Sequence, residues 1–312
     1  DRIQAEYAYA NFTAWGDPAF GVMRRLNLKT ALTPEMDRDP MTFCLHGGDE
    51  PRAERFPELV LRRDEARKVI PSIPFFNNLL PVYGFGNFEE YEKYLEEYFS
   101  MLKPKIVTYD YYAFFRDGTF LEDYFPNLAV FRRAAMKHGS DFGMIAQLTG
   151  FGPCRAVSEG ELRFQAFTSL AFGAKIHGWF TFLEPIGQFD DWHDAVIDTE
   201  GNRTSRYAMI RRLNGEILQL GRTLLECRNT GVFFNSDVPR FCEPLAKARL
   251  VKRVSGGAAV VGEFLHRDGR ELVMIVNRDY SAPAKLEIEF TGGQVRQVNL
   301  GPGDGKCLEV PK

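Results

Sequence analysis

The sequence predicts an α/β fold followed by a small all-β domain. Between about residue 18 and residue 225, short apolar segments alternate with segments of helical periodicity. The short segments are nearly continuous in apolar residues, which is typical of parallel strands buried on both faces. After about residue 226 the pattern changes to short alternating strands with turn signals such as Asp268-Gly269. We therefore predict an α/β domain over residues 1–225 and a β-sandwich domain over residues 226–312.

The predicted elements of the first domain follow one another regularly. A helix-like stretch, PAFGVMRRLN, precedes the first of six predicted strands, which begins near residue 28. The last predicted helix of the alternation, SEGELRFQAFTSLAFGA, opens with a capping box from Ser158 to Glu161. Only AEYAYANFTAW stands before the first strand, so the opening strands are either degenerate or missing from this chain. The six strand segments read LKTALTP, TFCLHGG, IPFFNNLLP, KIVTYDYYAF, DFGMIAQLTG and KIHGWFTFLEP.

The later strands end in polar or charged residues. In a (β/α)8 barrel the carboxyl ends of the strands and the loops after them build the active site. A doubly wound sheet also binds ligands there, but no G-x-G-x-x-G turn or P-loop occurs in the chain. The sequence therefore favours a (β/α)8 TIM-type barrel that is incomplete at its N-terminus or degenerate there. The polar strand ends are Asp49, Glu50, Asn77, Asn78, Asp110, Gln147 and Glu184.

Composition narrows the class of partner. The 39 basic and 42 acidic residues give a net charge of −3, which indicates neither a nucleic-acid nor a membrane partner. No apolar run approaches the ~20 residues of a membrane span. The five cysteines have neither disulfide nor metal-ligand spacing, and no cofactor is implied. A small or neutral molecule is the expected partner. The chain begins at Asp1 rather than Met, which leaves room for a removed leader, so no compartment is predicted.

Asp49-Glu50-Pro51 is the first chemical signal. Proline sets the direction of the turn, and the two preceding glycines let the backbone approach a ligand closely. A carboxyl group that is partly desolvated at a strand end and surrounded by other acids has a raised pKa and can act as a general acid. Cleavage of a glycosidic bond needs such an acid and a second carboxylate, which acts as nucleophile or as base for water.

The joint order of four motifs resembles clan A glycoside hydrolases, and it is most similar to the β-galactosidase-like group near family 42. The resemblance runs from about residue 39 to residue 225, and such proteins often carry a C-terminal β-domain. It implies a carbohydrate substrate, a β-linked sugar of the galactoside type, and Glu50 as acid/base. It also implies a sugar site lined by Asn78, Asp110, Tyr112 and Trp179, and we add Asp49, Tyr109 and Gln147 as predicted substrate contacts. The motifs are GGDEP, FFNNLLP, IVTYDYYAF and ELRFQAFTSLAFGAKIHGWFTF.

The chain departs from this family at the strand that usually carries the nucleophilic glutamate, which here offers Gln147. An amide cannot serve as that nucleophile. The second carboxylate is then Asp110 or Glu184, or it is absent. Absence would indicate a non-catalytic carbohydrate-binding or scaffolding protein on a glycosidase-derived barrel. A sugar-processing enzyme of another type, such as a lyase, is the third hypothesis.

Simpler explanations stand beside these roles. Glu50 could complement a helix dipole and Asp49 could cap, while Trp179 and Tyr112 could fill the core. Since strand side chains alternate, only one of Asn77 and Asn78 is expected to point inward. The loop GQFDDWHD, residues 187–194, is predicted to border the substrate and not to bind a metal. A barrel lacking strands needs a covering surface, so a homo-oligomer is also expected.

Overall fold

The computed structural model describes residues 24–27, 32–39, 42–186 and 191–311. Its first part is a sheet of six parallel strands in chain order, from β1 to β6. Among the described residues β1 pairs only with β2, and β6 only with β5, so the sheet is seen as six strands and not as a complete barrel. The strands are β1 (Arg24–Asn27), β2 (Thr42–Asp49), β3 (Phe75–Leu79), β4 (Ile106–Tyr111), β5 (Asp141–Gln147) and β6 (Ile176–Phe180).

The first strand corrects one element of the sequence analysis. Arg24–Asn27 lies in the stretch PAFGVMRRLN, whose pattern predicts a helix, and the strand ends before the predicted start near residue 28. Backbone pairing with β2, from Arg24 opposite Thr42 to Asn27 opposite His46, overrides the local pattern. The segment AEYAYANFTAW lies outside the described residues.

Helices follow strands β2 to β6 in turn. The predicted capping box at the start of α4 is confirmed, because the Ser158 hydroxyl accepts from the Glu161 amide and the Glu161 carboxylate accepts from the Ser158 amide. None of the described helices is long and apolar enough to cross a membrane. The helices are α1 (Phe56–Arg67), α2 (Phe88–Leu102), α3 (Tyr124–Lys137), α4 (Glu159–Ala171) and α5 (Ser205–Leu224).

The C-terminal part consists of two sheets around an apolar core. One sheet has the strand order β14-β11-β10-β7-β8 and the other β13-β12-β9. Buried side chains such as Val251, Ile275 and Phe290 fill the space between them. The strands are β7 (Cys227–Phe234), β8 (Glu243–Pro244), β9 (Val251–Ser255), β10 (Ala259–His266), β11 (Glu271–Asn277), β12 (Ala284–Phe290), β13 (Val295–Leu300) and β14 (Gly305–Glu309).

The larger C-terminal sheet also packs against α4. A Cβ atom at Gly262 would lie 2.2 Å from the carbonyl oxygen of Ala171, and one at Gly305 would lie 2.7 Å from the Phe167 side chain. The two elements therefore approach each other closely because these positions lack side chains. Apolar residues of β10 and β11 belong to the same core as the helices of the parallel sheet. The division into domains at residue 225 stays a prediction.

Candidate active site

Strand alternation separates the two asparagines of β3. The Asn77 side chain faces the helix layer, where it accepts a hydrogen bond from the Tyr98 hydroxyl of α2 at 3.0 Å. The Asn78 side chain points to the opposite face of the sheet and donates to Asp110 of β4 at 2.6 Å. The prediction that only one of the two points inward is therefore confirmed, and Asn78 is that residue.

Asn78 joins two of the predicted acids. Its Nδ2 donates to Asp49 Oδ1 at 3.1 Å as well as to Asp110 Oδ1. Its Oδ1 accepts from the hydroxyl of Thr108 at 3.0 Å, which fixes the orientation of the amide. We call Asp49, Glu50, Asn78 and Asp110 the acid group. It lies at the carboxyl ends of β2, β3 and β4.

The backbone before Glu50 turns sharply to complete this group. Gly48 has a φ of 135°, which favours glycine, and Glu50 itself has a φ of 43°. A Cβ at Gly47 would lie 2.3 Å from the Phe75 ring, so only glycine fits there without a shift. The Glu50 amide donates to the carbonyl oxygen of Asn78 at 2.8 Å, which holds the turn against β3. A positive φ at a non-glycine residue is uncommon and occurs often at functional sites.

Two carboxyl groups of the acid group, those of Glu50 and Asp110, have raised pKa values. Burial, and then the negative charge of Glu50, raises the pKa of Asp110 to about 7, although the hydrogen bond from Asn78 opposes this. Burial, and then the charge of Asp49, raises the pKa of Glu50, while Arg52 lowers it. Near neutral pH the group can therefore hold a carboxylic acid beside a carboxylate.

Two tyrosines adjoin the acid group. Burial, and then the charge of Asp110, raises the pKa of the Tyr112 phenol. Tyr83 was not singled out from the sequence. It lies in a short 3-10 helix, Val82–Gly84, directly after β3, and its ring is 5.4 Å from that of Tyr111. Burial of the Tyr83 phenol, followed by the charges of Asp110 and Glu50, raises its pKa, and its position just after the strand end was the signal available.

Two other predicted aromatic contacts lie on the opposite face of the sheet. Tyr109 is 1% exposed and packs on Phe131 of α3 at a ring distance of 4.5 Å. Trp179 is 3% exposed, and its indole nitrogen donates to Asn214 of α5 at 2.8 Å. The structure does not bring either ring to the acid group, because alternation directs both toward the helices.

Gln147 points to the inner face but is fully buried. Its Oε1 accepts from the Phe114 amide at 2.9 Å. Its Nε2 donates to the carbonyl oxygens of Phe114 and Arg155 at 2.8 and 2.7 Å. All of these partners are backbone groups, so the amide joins the loop after β4 to the loop after β5. A carboxylate at this position would face two carbonyl oxygens.

Glu184 belongs to a different set of charges. Burial raises its pKa, and the charged groups that act on it are Asp198, His193 and Asp194 in the loop after β6. Its amide donates to the Ile197 carbonyl oxygen at 2.9 Å, which ties it to that loop. Part of the predicted border loop, residues 187–190, lies outside the described residues.

The chain offers little for metal binding in its described part. Among the described residues, no group of three or more His, Cys, Asp or Glu side chains is placed to hold a metal ion. His177 is bonded through Nδ1 to Ser169 at 3.0 Å, and burial lowers its pKa to about 3. That histidine is therefore neutral at physiological pH and belongs to the packing between β6 and α4.

Comparison with known proteins gives structural matches only. No protein family's sequence profile matches the chain, and no curated protein matches it. The structure is similar to a rhamnosidase from Novosphingobium sp. PP1Y, with a TM-score of 0.53 and 10% identity over 83% of this chain and 38% of that one. It is also similar to a catalytic mutant of Gan42B, a GH42 β-galactosidase from G. stearothermophilus, with a TM-score of 0.50 and 8% identity over 82% of this chain and 67% of that one. The chain therefore shares its fold with parts of these two enzymes.

A third match is shorter. A β-galactosidase from Bacillus circulans sp. alkalophilus is 25% identical over 56% of this chain, with a TM-score of 0.43. This chain spans 25% of the length of that enzyme and 27% of the length of a β-galactosidase from Marinomonas ef1.

Proposed function

We propose that the protein is a glycoside hydrolase that cleaves a β-linked, galactoside-like sugar with Glu50 and Asp110 as its two carboxyl groups. The observation that carries the proposal is the meeting of acids at the carboxyl ends of β2 and β4, where the Asn78 amide bonds both Asp49 and the buried Asp110. Burial and the nearby charge of Glu50 raise the pKa of Asp110 to about 7. A buried acid costs stability unless it is paired, and this one lies at the edge of the sheet where such barrels bind substrate. Perturbed carboxyl groups of this kind are typical of catalytic sites.

In the proposed reaction the pair holds one proton. Hydrolysis of a glycosidic bond needs a carboxylic acid to protonate the leaving oxygen and a carboxylate to attack the sugar or to activate water. Two neighbouring carboxyl groups in a poorly solvated place cannot both ionise easily, so they reach this state near neutral pH. The Asn78 amide donates to both Asp110 and Asp49. These two bonds hold the Asp110 and Asp49 side chains in fixed positions.

The roles within the pair follow from burial. Asp110 is 6% exposed and has the strongly raised pKa, so it holds the proton in the free protein. Glu50 is less buried, and its charge is a cause of the raised pKa of Asp110, so we assign it the role of the carboxylate. This is the reverse of the roles that the resemblance implies, where Glu50 is the acid/base. A bound sugar would remove water from Glu50 and raise its pKa, which would move the proton toward it.

The remaining members of the site would bind the sugar. Asp49 is exposed at the strand end and can accept hydrogen bonds from hydroxyl groups. The phenol of Tyr83 lies near Asp110 and Glu50, and that of Tyr112 lies near Asp110 and Asp49. The substrate is therefore proposed to be a carbohydrate, and no cofactor enters the mechanism.

One observation favours a second candidate function, a non-catalytic carbohydrate-binding protein. Gln147 stands where the resembling family places its nucleophile, and its amide is bonded to the backbone of two loops. A chain that kept the sugar site after losing this carboxylate would bind without cleaving.

The decisive experiment compares hydrolysis of a panel of nitrophenyl β-glycosides by the wild type, Glu50→Gln and Asp110→Asn. We expect each substitution to lower kcat by about 10² to 10⁴-fold, which is the range for loss of a general acid or base. Glu184→Gln is the matched control, because it removes an acid from another strand end of the same sheet, and its kcat should stay near that of the wild type. Equal activity of Glu50→Gln would remove Glu50 from the mechanism, whereas an inactive wild type that still binds sugar would support the second function.

A further inference from the structure

A cluster of aromatic rings lies beside the acid group. Phe151 stacks on Trp192 at a ring distance of 4.7 Å and an angle of 26°. Phe180 lies 5.3 Å from Tyr112 and 5.8 Å from Trp192. We call Tyr112, Phe151, Phe180 and Trp192 the aromatic platform. Phe151 is buried, whereas the other three are partly exposed, so the platform has a face toward solvent.

The loop that carries Trp192 is held against the loop after β5. The backbones of Gly150 and His193 exchange two hydrogen bonds of 3.0 and 3.1 Å. A Cβ at Gly150 would lie 2.2 Å from the His193 ring, so this contact needs glycine. The Asp191 carboxylate accepts from the Gly152 amide at 3.0 Å.

A third loop is tied to the same place. Arg116, in the loop after β4, forms an ion pair of 2.5 Å with Asp191. The loops after β4, β5 and β6 therefore interlock and fix the indole before any ligand arrives. Aromatic side chains held in this way bind with little loss of conformational freedom.

Tyr112 connects the platform to the acid group. The charge of Asp110 acts on its phenol, while its ring contacts Phe180 and Phe151. A ligand with a reacting bond at the acids would therefore extend over aromatic faces on this side. Aromatic rings bind flat apolar faces, such as one face of a pyranose, while polar groups at the border satisfy hydroxyls.

We propose that Tyr112, Phe180 and Trp192 form a second binding position, for a ring in the leaving-group part of the substrate. The ligand chemistry is a six-membered ring with one flat apolar face, which a second pyranose or an aromatic aglycone would supply. The Arg116–Asp191 ion pair at the border offers both donors and acceptors to the hydroxyls of a pyranose. The leaving-group role rests on the proposed hydrolase function, but binding of the ring does not require turnover.

The test measures binding by titration calorimetry on the full chain carrying Glu50→Gln, so that turnover does not interfere. For gluco-, galacto-, manno- and xylo-configured sugars, the affinity of the methyl β-glycoside is compared with that of the phenyl β-glycoside and of a β-linked disaccharide. We expect the two-ring ligands to bind about tenfold more tightly than the methyl glycoside for the preferred sugar, as one good ring contact predicts. The phenyl and disaccharide arms distinguish the two sources of the ring.

Substitution of Trp192 then tests whether its indole forms the second binding position. Adding Trp192→Ala to the Glu50→Gln protein should lower the ratio of the two-ring affinity to the methyl glycoside affinity from tenfold to less than twofold. The affinity for the methyl glycoside itself should not change. Trp192→Leu, which keeps apolar volume, covers the case in which the alanine variant does not fold. Leu218→Ala, which truncates a 51% exposed side chain on α5, should leave the ratio unchanged.

Three results would overturn the proposal. They are an unchanged ratio in both Trp192 variants, no advantage of two-ring ligands, and no binding anywhere in the panel. The outcome is separate from that of the hydrolase proposal. Ring-dependent binding by a protein that hydrolyses no glycoside would leave the second binding position intact, and hydrolysis with an unchanged ratio would reject it alone.

Discussion

The carboxyl ends of β2–β4 and of β5–β6 lie at the same edge of one sheet but differ in what they offer a ligand. At the first, the Asn78 side chain bonds Asp49 and Asp110, and the charge of the partly exposed Glu50 acts on Asp110. At the second, Gln147 is fully buried and bonded to backbone groups of two loops. A polar residue at a strand end is thus available for chemistry only where the following loops do not fold over it.

The loops explain this difference. Short connections, residues 50–55 and 80–87, follow β2 and β3, whereas residues 112–123 follow β4. The segments after β5 and β6, residues 148–158 and 181–204, pair with each other at Gly150 and His193. Buried backbone groups of the loops after β4 and β5 need hydrogen-bond partners, and Gln147 supplies three bonds to them. The loops therefore decide whether a strand-end residue serves structure or a ligand.

The largest expected effect comes from making Gln147 a glutamate. The change replaces an amide donor that serves two buried carbonyl oxygens with a carboxyl group, so we expect the free energy of unfolding to fall by about 5 kcal/mol. Denaturant unfolding at pH 7 measures it. Gln297→Glu, at an exposed position on β13, is the control and should change stability by less than about 0.5 kcal/mol.

A gain of hydrolysis in Gln147→Glu with unchanged stability would contradict this assignment. It would mean that the position opens to the substrate, and the distinction between the two ends of the sheet would disappear.

The second largest effect is the change of the unfolding free energy with pH that Asp110 causes. Its pKa in the folded protein, about 7, is above its ordinary value of 3.8, so the folded state retains a proton that the unfolded state loses. Its contribution to stability is therefore complete below about pH 4 and is lost as the pH rises to about 7. Asp110→Asn removes this loss, which amounts to at most about 4 kcal/mol.

Unfolding free energies of the wild type and Asp110→Asn at pH 4, 5, 6, 7 and 8 measure this difference. We expect the variant to gain relative to the wild type as the pH rises, with no further gain above about pH 8. Glu50→Gln should move the wild-type transition to lower pH, because the charge of Glu50 is a cause of the raised pKa. A pH-independent difference between wild type and Asp110→Asn would reject the raised pKa.

The smallest expected effect tests how the Asn78 amide, which bonds Asp49 and Asp110, influences the pKa of Asp110. Thr108→Val removes the hydroxyl that donates to Asn78 Oδ1 and should cost about 1 kcal/mol of stability. Since the hydrogen bond from Asn78 lowers the pKa of Asp110, a less well oriented amide should raise that pKa further. The measurement is the pH at which the stability transition of Asp110 is half complete.

Tyr98→Phe is the matched control for Thr108→Val. It removes the hydroxyl that bonds Asn77, on the opposite face of β3, and should cost a similar free energy of unfolding. The Asp110 transition should not move in this variant. Equal shifts in the two variants would show that the effect is general loosening of β3 and not orientation of the Asn78 amide.

The sequence by itself determined the α/β class, the order of the strands from β2 onward, the capping box of α4 and the strand-end position of Glu50 and Asp110, because hydrophobic period, caps and turn residues are local signals. It did not determine which strand-end side chains share a site. Only the tertiary structure placed Tyr109 and Trp179 toward the helices, enclosed Gln147 under two loops and brought Tyr83 beside the acids. Alternation and loop packing depend on neighbours distant in the chain, and a local pattern carries no record of them.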